Sequence, residues 1–398
     1  MSKEMRHSGI EWIGEIPKEW NCQRLKFLCS IQTGNQDTQD ANSEGEYPFY
    51  VRSPLVERSS KYSFDGEGIL MAGDGVGAGR VFHHAFGKYA VHQRVYRLSS
   101  FTNIVPNYLF NYISNLFTRV MDMGSAQSTV PSVRLPMLSN FTVCIPPLSE
   151  QQKIANYLDK VCGEVDEMIS LQEQMIEELK AYKQSVITEA VTKGLNPDVP
   201  MHDSGIDWIG EVPDHWEVKK IGYVFYNLDY LREPISAELR ERNNPQYDYY
   251  GASGVIDKID HYNVEDKVLL IGEDGANLVM RNLPLIYKAE GKFWVNNHAH
   301  ILKPIKDDYN YMAHTLEAAD YRNYITGFAQ PKLSQENLKA VKLPVPPLSE
   351  QQSIASYLDT KCAEIDALIA IKQAKIEELK KYKKSVIYEY VTGKKEVV

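Results

Sequence analysis

The feature that most constrains this 398-residue chain is a long segment that occurs twice, 200 residues apart. Both copies begin with Pro-Pro-Leu-Ser-Glu-Gln-Gln, at 146–152 and at 346–352. A second repeat precedes each copy, because Gly-Ile-x-Trp-Ile-Gly-x-x-Pro occurs at 9–17 and again at 205–213. A chain that repeats its own order of motifs in this way is predicted to fold as two similar halves.

Each copy of the long segment is predicted to be a helix. In the first copy, positions that advance by alternating steps of four and three from Ile154 to Val186 are apolar or aromatic, except Gln172. That spacing is typical of a coiled-coil seam. Three lysines interrupt the equivalent positions of the second copy, where a broader or rotated stripe is expected. We expect an antiparallel intramolecular pair, with these pairing residues: Ile154, Leu158, Val165, Met168 and Leu179 in the first helix, and Ile354, Leu358, Ile365, Leu368 and Leu379 in the second.

The repeats divide the chain into six predicted segments: a lead (1–20), a globular region (21–144), a long helix (145–194), a connector with the second lead (195–216), a second globular region (217–344) and a second long helix (345–398). Each globular region has a short apolar run that enters a glycine turn, followed by sequence rich in strand formers. We predict an α+β fold. It has two mixed α/β domains with mostly antiparallel sheets, separated by the pair of long coiled-coil helices, with a pseudo-two-fold internal repeat.

The net charge of −9 argues at first against a nucleic-acid partner. The charge is unevenly distributed, however. Residues 145–216 carry 5 basic and 14 acidic side chains, whereas the globular regions 21–144 and 217–344 are close to neutral. Basic faces on those two regions are therefore compatible with the composition. The acidic first helix is better suited to contacting another protein than to facing DNA.

Composition also bears on the compartment. No apolar run reaches the ~18 residues of a membrane helix, and the first residues lack the apolar core of a signal peptide. The five cysteines are odd in number and show no CxxC spacing. We therefore expect a cytoplasmic protein without a membrane partner, a disulfide framework or a metal site.

A search for catalytic motifs predicts no catalytic, cofactor-binding or metal-binding residues. Glycines 73, 75, 77 and 79 superficially match a dinucleotide loop, but strand-like sequence follows them where a phosphate loop needs a helix. Asn244-Pro245-Gln246-Tyr247 differs by one residue from an amino-methyltransferase motif, and no glycine-rich cofactor strand precedes it. The chain is expected to be non-catalytic by itself.

Basic and amide side chains cluster in both globular regions. Arginine and lysine can bridge guanine O6 and N7, and asparagine and glutamine can bridge adenine N6 and N7. These types are also ordinary surface residues, so only their clustering on two matched domains favours base contact. The candidate DNA-binding residues are Arg80, His83, His84, Arg94, Gln127, Ser128 and Arg134 in the first region, and Arg281, Asn282, Asn296, Asn297, Gln330 and Lys332 in the second.

In these motifs the whole chain resembles the specificity subunits of type I restriction–modification systems. The resemblance rests on the doubled Pro-Pro-Leu-Ser-Glu-Gln-Gln entry, the doubled helix and the doubled tryptophan-containing lead. The Gly-Glu-Asp-Gly turn at 272–275 and the Ala-Gln-Pro loop at 329–331 also look like those of the family's target-recognition domains. The first half departs from this pattern, with Gly-Asp-Gly at 73–75 and Ala-Gln-Ser at 126–128.

The resemblance implies that each globular region is a target-recognition domain that reads one half of a bipartite, asymmetric DNA site. It implies that the helix pair sets the gap between the half-sites and docks two modification (methyltransferase) subunits, which motor-nuclease restriction subunits join. S-adenosylmethionine and ATP with Mg²⁺ are expected in those partner subunits, and no cofactor in this chain.

Two other classes remain open from the residues alone. One is a non-catalytic coiled-coil scaffold whose end domains bind protein or RNA, which sequence-selective retention of duplex DNA would argue against. The other is a standalone DNA enzyme, which needs an active site that the motif search does not identify.

Overall fold

The repeated segments form the two longest helices of the described chain, with 46 residues at Leu148–Lys193 and 44 residues at Leu348–Val391. The chain divides into unit 1, residues 1–173 with 373–398, and unit 2, residues 174–372. Each unit therefore combines one globular region with the first part of one long helix and the last part of the other.

Apart from its portions of the two long helices, unit 1 consists mainly of short strands and one amphipathic helix. The computed structural model describes residues 4–124, 131–236, 246–327 and 330–397. In chain order its elements to the end of the first long helix are β1 Met5–His7, β2 Glu15–Pro17, β3 Asn21–Arg24, β4 Ser30–Thr33, β5 Tyr47–Tyr50, β6 Glu57–Ser59, β7 Phe64–Asp65, β8 Gly68–Ala72, β9 Phe82–Ala85, β10 Lys88–Val91, β11 Val95–Ser99, α1 Pro106–Gly124, α2 Leu135–Ser139, β12 Thr142–Ile145 and α3 Leu148–Lys193.

Unit 2 repeats this order with longer strands. Its elements, to the end of the second long helix, are β13 Met201–Asp203, β14 Glu211–Pro213, β15 Glu217–Lys220, α4 Ile221–Val224, β16 Phe225–Asn227, β17 Tyr247–Gly251, β18 Gly254–Ile259, β19 Val264–Gly272, α5 Asn277–Met280, β20 Ile286–Val295, β21 Ala299–Pro304, α6 Tyr309–Ala318, α7 Gln335–Ala340, β22 Lys342–Val345 and α8 Leu348–Val391. Within the described ranges, none of the helices combines the length and the apolar composition that crossing a bilayer requires.

The sheets of the two units share one unusual pairing. Unit 1 has two four-stranded sheets, ordered β6-β5-β10-β7 and β4-β11-β8-β9, and unit 2 has one six-stranded sheet, ordered β16-β21-β19-β20-β17-β18. Strands β5 and β10 pair in parallel, as do β17 and β20, whereas the other pairs of described strands are antiparallel. The predicted mixed domains with mostly antiparallel sheets are confirmed.

A buried tyrosine joins each globular region to the end of one long helix and to the strand that precedes the other. The hydroxyl of Tyr108 donates to the carbonyl of Cys144 at 2.7 Å and lies 3.0 Å from the carbonyl of Val391. In unit 2 the hydroxyl of Tyr311 lies 3.0 Å from the carbonyl of Pro344 and 3.3 Å from that of Val191. Buried side chains of α1 and of the ends of α3 and α8 belong to one continuous core in unit 1, and unit 2 has the matching core.

The repeated Pro-Pro-Leu-Ser-Glu-Gln-Gln motif holds each helix start in place. Glu150 accepts a hydrogen bond from the indole of Trp20 at 3.2 Å, and Gln151, which is fully buried, accepts from the amide of Val105 and donates to the carbonyl of Pro146. The same contacts recur at positions 350 and 351 of unit 2. The motif therefore has an architectural role, and Trp20 is a packing residue of the unit 1 core.

The two long helices run antiparallel within each unit. In unit 1 the rings of Tyr157 and Tyr390 are 4.5 Å apart, and Lys383 pairs with Asp166 at 2.6 Å. In unit 2 the matching pair joins Lys183 to Asp366 at 2.7 Å. These two ion pairs are 200 residues apart on both partners, so the internal repeat extends to the contacts between the helices.

The buried stripe follows only part of the predicted seam. Ile154, Leu158, Val165, Ile354, Leu358 and Ile365 are buried, and Leu179 and Leu379 are partly buried. Met168 and Leu368 are 51% and 47% exposed, so their assignment to the pairing face is wrong. Their neighbours Ile169 and Ile369 take those places on the stripe.

The error has a physical reason. At several seam positions the predicted residue and the one that follows it are both apolar, for example Met175 and Ile176. Hydrophobicity alone therefore does not show which of the two lies on the pairing face. The structure buries Cys162 and Ile176, one residue later than the predicted positions. The same one-residue rotation turns Lys183 toward its partner Asp366 and leaves Tyr182 exposed.

Candidate nucleic-acid interface

An aspartate lies in the glycine-rich turn directly after strand β8 of unit 1. Asp74 accepts hydrogen bonds from Arg52 Nη1 at 3.0 Å and from Arg94 Nη1 at 2.5 Å. Its side chain is 17% exposed, whereas those of Arg52 and Arg94 are 41% and 61% exposed. Burial by itself raises the pKa of Asp74, but the two guanidinium groups outweigh it and hold that pKa below its usual value. One carboxylate thus orients two exposed guanidinium groups.

Backbone hydrogen bonds hold this turn on both sides. The amide of Gly73 donates to the carbonyl of Arg94 at 2.8 Å, the amide of Gly75 donates to Pro131 at 3.0 Å, and the amide of Val133 donates to Gly73 at 2.7 Å. A side chain at Gly73 would place its Cβ 2.8 Å from the carbonyl oxygen of Arg94. Gly75 has φ +74°, a conformation that glycine adopts without strain. The two glycines therefore fix where Asp74 points.

Unit 2 builds the same turn with the same backbone bonds. The amide of Glu273 donates to the carbonyl of His298 at 2.8 Å, that of Gly275 donates to Pro331 at 3.1 Å, and that of Leu333 donates to Glu273 at 2.7 Å. These positions correspond to those of unit 1 at a spacing of 200 residues, or 204 for the strand-connecting turn that carries His298. The scaffold is therefore repeated in three dimensions as well as in sequence.

The side chains on this shared scaffold differ between the units. Asp274 pairs with the imidazole of His298 at 2.7 Å, where Asp74 pairs with Arg94. Two residues before His298 and before Arg94, a polar side chain holds the turn in place. Asn296 accepts a hydrogen bond from the amide of His298 at 2.8 Å, and His92 accepts one from the amide of Arg94 at 3.0 Å. A guanidinium group in one unit is thus replaced by an imidazole in the other.

Unit 2 also has a partly buried carboxylate where unit 1 has only Gly73. The carboxylate of Glu273 is 12% exposed, contacts Arg232, and lies 3.1 Å from the ammonium group of Lys332. Burial raises the pKa of Glu273, and the hydrogen bonds from Arg232 and Lys332 lower it to a net value below the usual one. Lys332 is 55% exposed, and its counterpart in unit 1 is Ser132. The charge pattern around the two turns is therefore different.

A fully buried histidine supports the unit 2 turn from inside the fold. His300 Nδ1 lies 2.6 Å from the carboxylate of Asp229, and its Nε2 lies 2.8 Å from the carbonyl of Leu333. Asp229 also accepts from the amide of Ile301 at 2.8 Å. In unit 1 the hydroxyl of Tyr96 donates to the carbonyl of Val133 in the equivalent place, at 3.1 Å.

Five of the predicted DNA-binding residues lie at or next to these turns. Arg94 belongs to the turn of unit 1. In unit 2, Asn296 is buried within the strand-connecting turn and Asn297 is exposed beside it, while Lys332 pairs with Glu273 and Gln330 is exposed next to Pro331.

The structure places the other described candidates in different surroundings. Arg80 pairs with Asp122, His83 contacts the carbonyl of Ser53, His84 pairs with Glu67, Arg134 is exposed at the start of α2, Arg281 donates to carbonyls of Glu317 and Ala319, and Asn282 is exposed with its amide 3.9 Å from the Met280 sulfur. Gln127 and Ser128 lie outside the described residues, as do Asn244 and Pro245.

Sequence reasoning missed Arg52, Arg232 and the two aspartates, Asp74 and Asp274. Acidic residues do not qualify as DNA contacts by charge, although the aspartate recurs in both glycine turns at a spacing of 200 residues. That recurrence was the available signal. Arg52 and Arg232 lie outside the two clusters of basic residues, and no pattern in the sequence connects them with the turns.

Two matched turns, one in each unit, thus hold oriented cations on the same backbone scaffold and differ in their side chains. No group of three or more His, Cys, Asp or Glu side chains within the described ranges is arranged to hold a metal ion.

Comparison with known proteins identifies the family. The family model for the type I restriction modification DNA specificity domain matches residues 17–181 and 213–381. The chain is 22% identical over 383 residues to the type I restriction enzyme EcoDI specificity subunit of Escherichia coli, covering 89% of this chain and 84% of that subunit. It is 24% identical over 430 residues to the MjaVIII specificity subunit of Methanocaldococcus jannaschii, covering 95% and 93%.

A solved structure shows the same fold. A chain described under "Structural basis underlying complex assembly and conformational transition of the type I R-M system" superposes with a TM-score of 0.68 at 14% identity, covering 94% of this chain and 98% of that one. The chain described here belongs to the type I restriction–modification DNA specificity family, and it is a specificity subunit with two recognition domains.

Proposed function

We propose that unit 1 and unit 2 each read one half of a bipartite, asymmetric site in double-stranded DNA, through the turns around Asp74 and Asp274. The observation that supports this is the repeated backbone of the two turns, which carries different side chains in each unit. A repeated scaffold suits two stretches of the same polymer, and different side chains suit different base sequences.

The chemistry of unit 1 favours guanine or phosphate as the group contacted. An arginine side chain has five N–H donors, and the bonds to Asp74 use one nitrogen of Arg52 and one of Arg94. The remaining donors on these exposed side chains can bridge guanine O6 and N7 or a phosphate oxygen. Because Asp74 fixes both arginines, they are oriented before DNA binds.

Unit 2 offers a different set of groups. His298 and Lys332 are both about half exposed, and each is held by a carboxylate, Asp274 or Glu273. Asn297, the residue before His298, is exposed, and its amide has the donor and acceptor that adenine N7 and N6 require. The second half-site is therefore expected to differ in sequence from the first.

The chain is proposed to act, in the cytoplasm, within a complex that contains two methyltransferase subunits and restriction subunits. It is non-catalytic by itself in this proposal, and S-adenosylmethionine, ATP and Mg²⁺ bind the partners. The long helices are proposed to dock the methyltransferase subunits and to set the gap between the half-sites.

The docking role makes a prediction for the acidic face of α3. Changing Glu173 and Glu177 to lysine reverses two exposed charges, and it also removes the ion pair of Glu177 with Lys180. We expect the amount of methyltransferase subunit that co-purifies to fall by about tenfold, since like charges across an interface oppose assembly. Glu265→Lys with Glu290→Lys, which reverses two exposed charges on β19 and β20 of unit 2, is the matched control. Unchanged assembly with altered base preference would contradict this assignment of the helix face.

The experiment that tests the main proposal selects bound duplexes from a random pool with the assembled complex. Two paired variants are compared, Arg52→Ala with Arg94→Ala in unit 1, and His298→Ala with Lys332→Ala in unit 2. We expect the wild type to enrich a two-part motif, the first pair to alter only one half of it, and the second pair to alter only the other half. Retention without sequence preference would instead favour the scaffold that binds protein or RNA.

A further inference from the structure

Two cysteines of unit 1 face each other across neighbouring strands. Cys22 of β3 and Cys144 of β12 are directly opposite in the antiparallel register, and their sulfur atoms are 3.4 Å apart. Residues directly opposite in such a pair have Cα atoms about 4.5–5.5 Å apart, which lies within the range that disulfides span. A disulfide therefore needs side-chain rotation and little movement of the backbone.

This pair is not a consequence of the repeated architecture. The corresponding strands of unit 2, β15 and β22, pair Val218 with Pro344 at the equivalent position. The strand pairing thus tolerates two unreactive residues, and the fold does not require thiols there. Two thiols in contact at this one position call for a chemical explanation.

We propose that Cys22 and Cys144 form a reversible disulfide on oxidation by hydrogen peroxide, and that this bond covalently closes the first recognition region. In the first step the thiolate of Cys22 attacks one peroxide oxygen, the O–O bond breaks, and the released hydroxide takes up a proton as water. In the second step Cys144 attacks the sulfur of the resulting Cys22 sulfenic acid, loses its proton, and displaces hydroxide, which leaves as water. Two thiols are oxidised and one peroxide is reduced to two waters.

The surroundings assign the two sulfurs to these steps. The thiol of Cys144 lowers the pKa of Cys22 to about 7, against the effect of burial and with help from the Arg6 guanidinium. The same contact, together with burial, raises the pKa of Cys144. Cys22 is partly exposed while Cys144 is fully buried, so Cys22 is both the better nucleophile and the sulfur that peroxide reaches.

The position of the bond determines its effect. The loop that the disulfide would close, residues 22–144, contains the whole first recognition region, including the Asp74 turn. One end of this loop is anchored, because the Tyr108 hydroxyl contacts the carbonyl of Cys144 and that of Val391 in α8. A cross-link between distant positions stabilises mainly by restricting the unfolded chain, and more so for a long loop. We expect the melting temperature of unit 1 to rise by roughly 5–10 °C on oxidation.

The test treats the full chain with hydrogen peroxide, alkylates the remaining thiols and maps the peptides by mass spectrometry. The wild type should lose two alkylatable thiols and yield a linked peptide that dithiothreitol releases. Cys144→Ser should stop at a sulfenic acid that dimedone traps on residue 22, and Cys22→Ser should retain all its remaining thiols. Cys29→Ser is the matched control, because burial raises the pKa of that thiol to about 12 and it should take no part.

Two results would overturn the proposal. One is oxidation of wild-type Cys22 to sulfinic acid, or its survival as a free thiol, at peroxide concentrations that leave the methionines intact. The other is formation of the disulfide without any rise in the melting temperature relative to the reduced protein. Since both measurements use the wild type, neither depends on whether a variant folds.

Discussion

At the residue scale, the turns proposed to contact DNA are organised by carboxylates that hold cations. Asp74 and Glu273 both have a pKa below the usual value because cations outweigh the effect of burial. Such acids add negative charge to a surface that is proposed to face DNA, so they weaken its electrostatic attraction to the phosphates. Their effect is to restrict long, flexible side chains to one orientation, so selectivity should depend on them more than affinity does.

Changing Asp74 to asparagine tests this separation of selectivity from affinity. The variant frees Arg52 and Arg94 and removes one negative charge, so we expect binding to random duplexes to strengthen slightly. The preference for the cognate site should fall by roughly tenfold, as expected for one lost oriented contact. Competition titrations of the assembled complex, at a fixed salt concentration, measure both.

Glu4→Gln is the matched control, because it makes the same charge change beside Lys18, which is not a candidate DNA contact, in the same unit. It should strengthen binding to random duplexes to a similar extent and leave the preference for the cognate site intact. If both variants lose the preference equally, net charge rather than orientation is responsible.

The second residue-scale prediction concerns the buried Asp229 behind the unit 2 turn. Burial raises the pKa of Asp229, but His300, the amide of Ile301 and Arg232 lower it to a net value below the usual one. A carboxyl group whose pKa is lower when folded stabilises the fold above its ordinary pKa, about 3.9, and loses that effect as the pH falls through the folded value. Asp229→Asn should therefore cost about 2 kcal/mol at pH 7 and clearly less near pH 3.5.

Calorimetric unfolding of the wild type and variant at the two pH values provides the measurement. Asp260→Asn, which removes an exposed carboxylate paired with His261, should leave the free energy of unfolding nearly unchanged at both. A cost for Asp229→Asn that is the same at both pH values would show that packing, and not ionisation, accounts for it.

At the scale of the elements, the sequence predicted the two long helices and part of their contact face. Periodicity places Leu158 and Val165 correctly, because each lies at a position where the adjacent residues are not equally apolar. It fails at Met168 and Met175, where an isoleucine follows immediately. Where two consecutive residues are both apolar, hydrophobicity does not show which one belongs to the contact face of the helix. The ion pairs that fix the rotation of each helix about its axis join residues far apart in sequence.

The corrected face of α3 makes a prediction with adjacent residues. Ile176 is 7% exposed and Met175 is 42% exposed. Ile176→Ala should lower the free energy of unfolding by about 3 kcal/mol, since it removes buried methyl groups and leaves a cavity, while Met175→Ala should cost less than about 1 kcal/mol. Urea unfolding of the two variants measures the difference, and the reverse order would restore the originally predicted seam.

At the scale of the whole molecule, the two structural units do not coincide with the two sequence repeats. Each unit contains residues from both halves of the chain. Residues 373–398 belong to unit 1, so the second long helix ends in the unit where the chain begins. The repeats predicted two similar halves and an antiparallel pair of long helices. The geometry of the two turns could not be predicted, because it depends on backbone bonds between segments such as Gly75 and Pro131 that share no sequence pattern.

The unbroken course of α3 through both units leads to the last prediction, which concerns the gap between half-sites. The ion pairs Asp166–Lys383 and Lys183–Asp366 lie on either side of the point where the chain passes from one unit to the other. Inserting one heptad after Leu171 and another after Ile371 lengthens both helices equally, so both ion pairs can be kept. Seven helical residues add about 10 Å, which corresponds to roughly 3 base pairs of DNA. Duplexes selected by the assembled complex should then contain the same two half-sites with a gap about 3 base pairs longer. A paired insertion of four residues is the control, because it also turns the helix by about 40° and should weaken binding to any spacing. If the heptad variant selects the original gap, the helices do not set the spacing, although the two recognition surfaces would be unaffected.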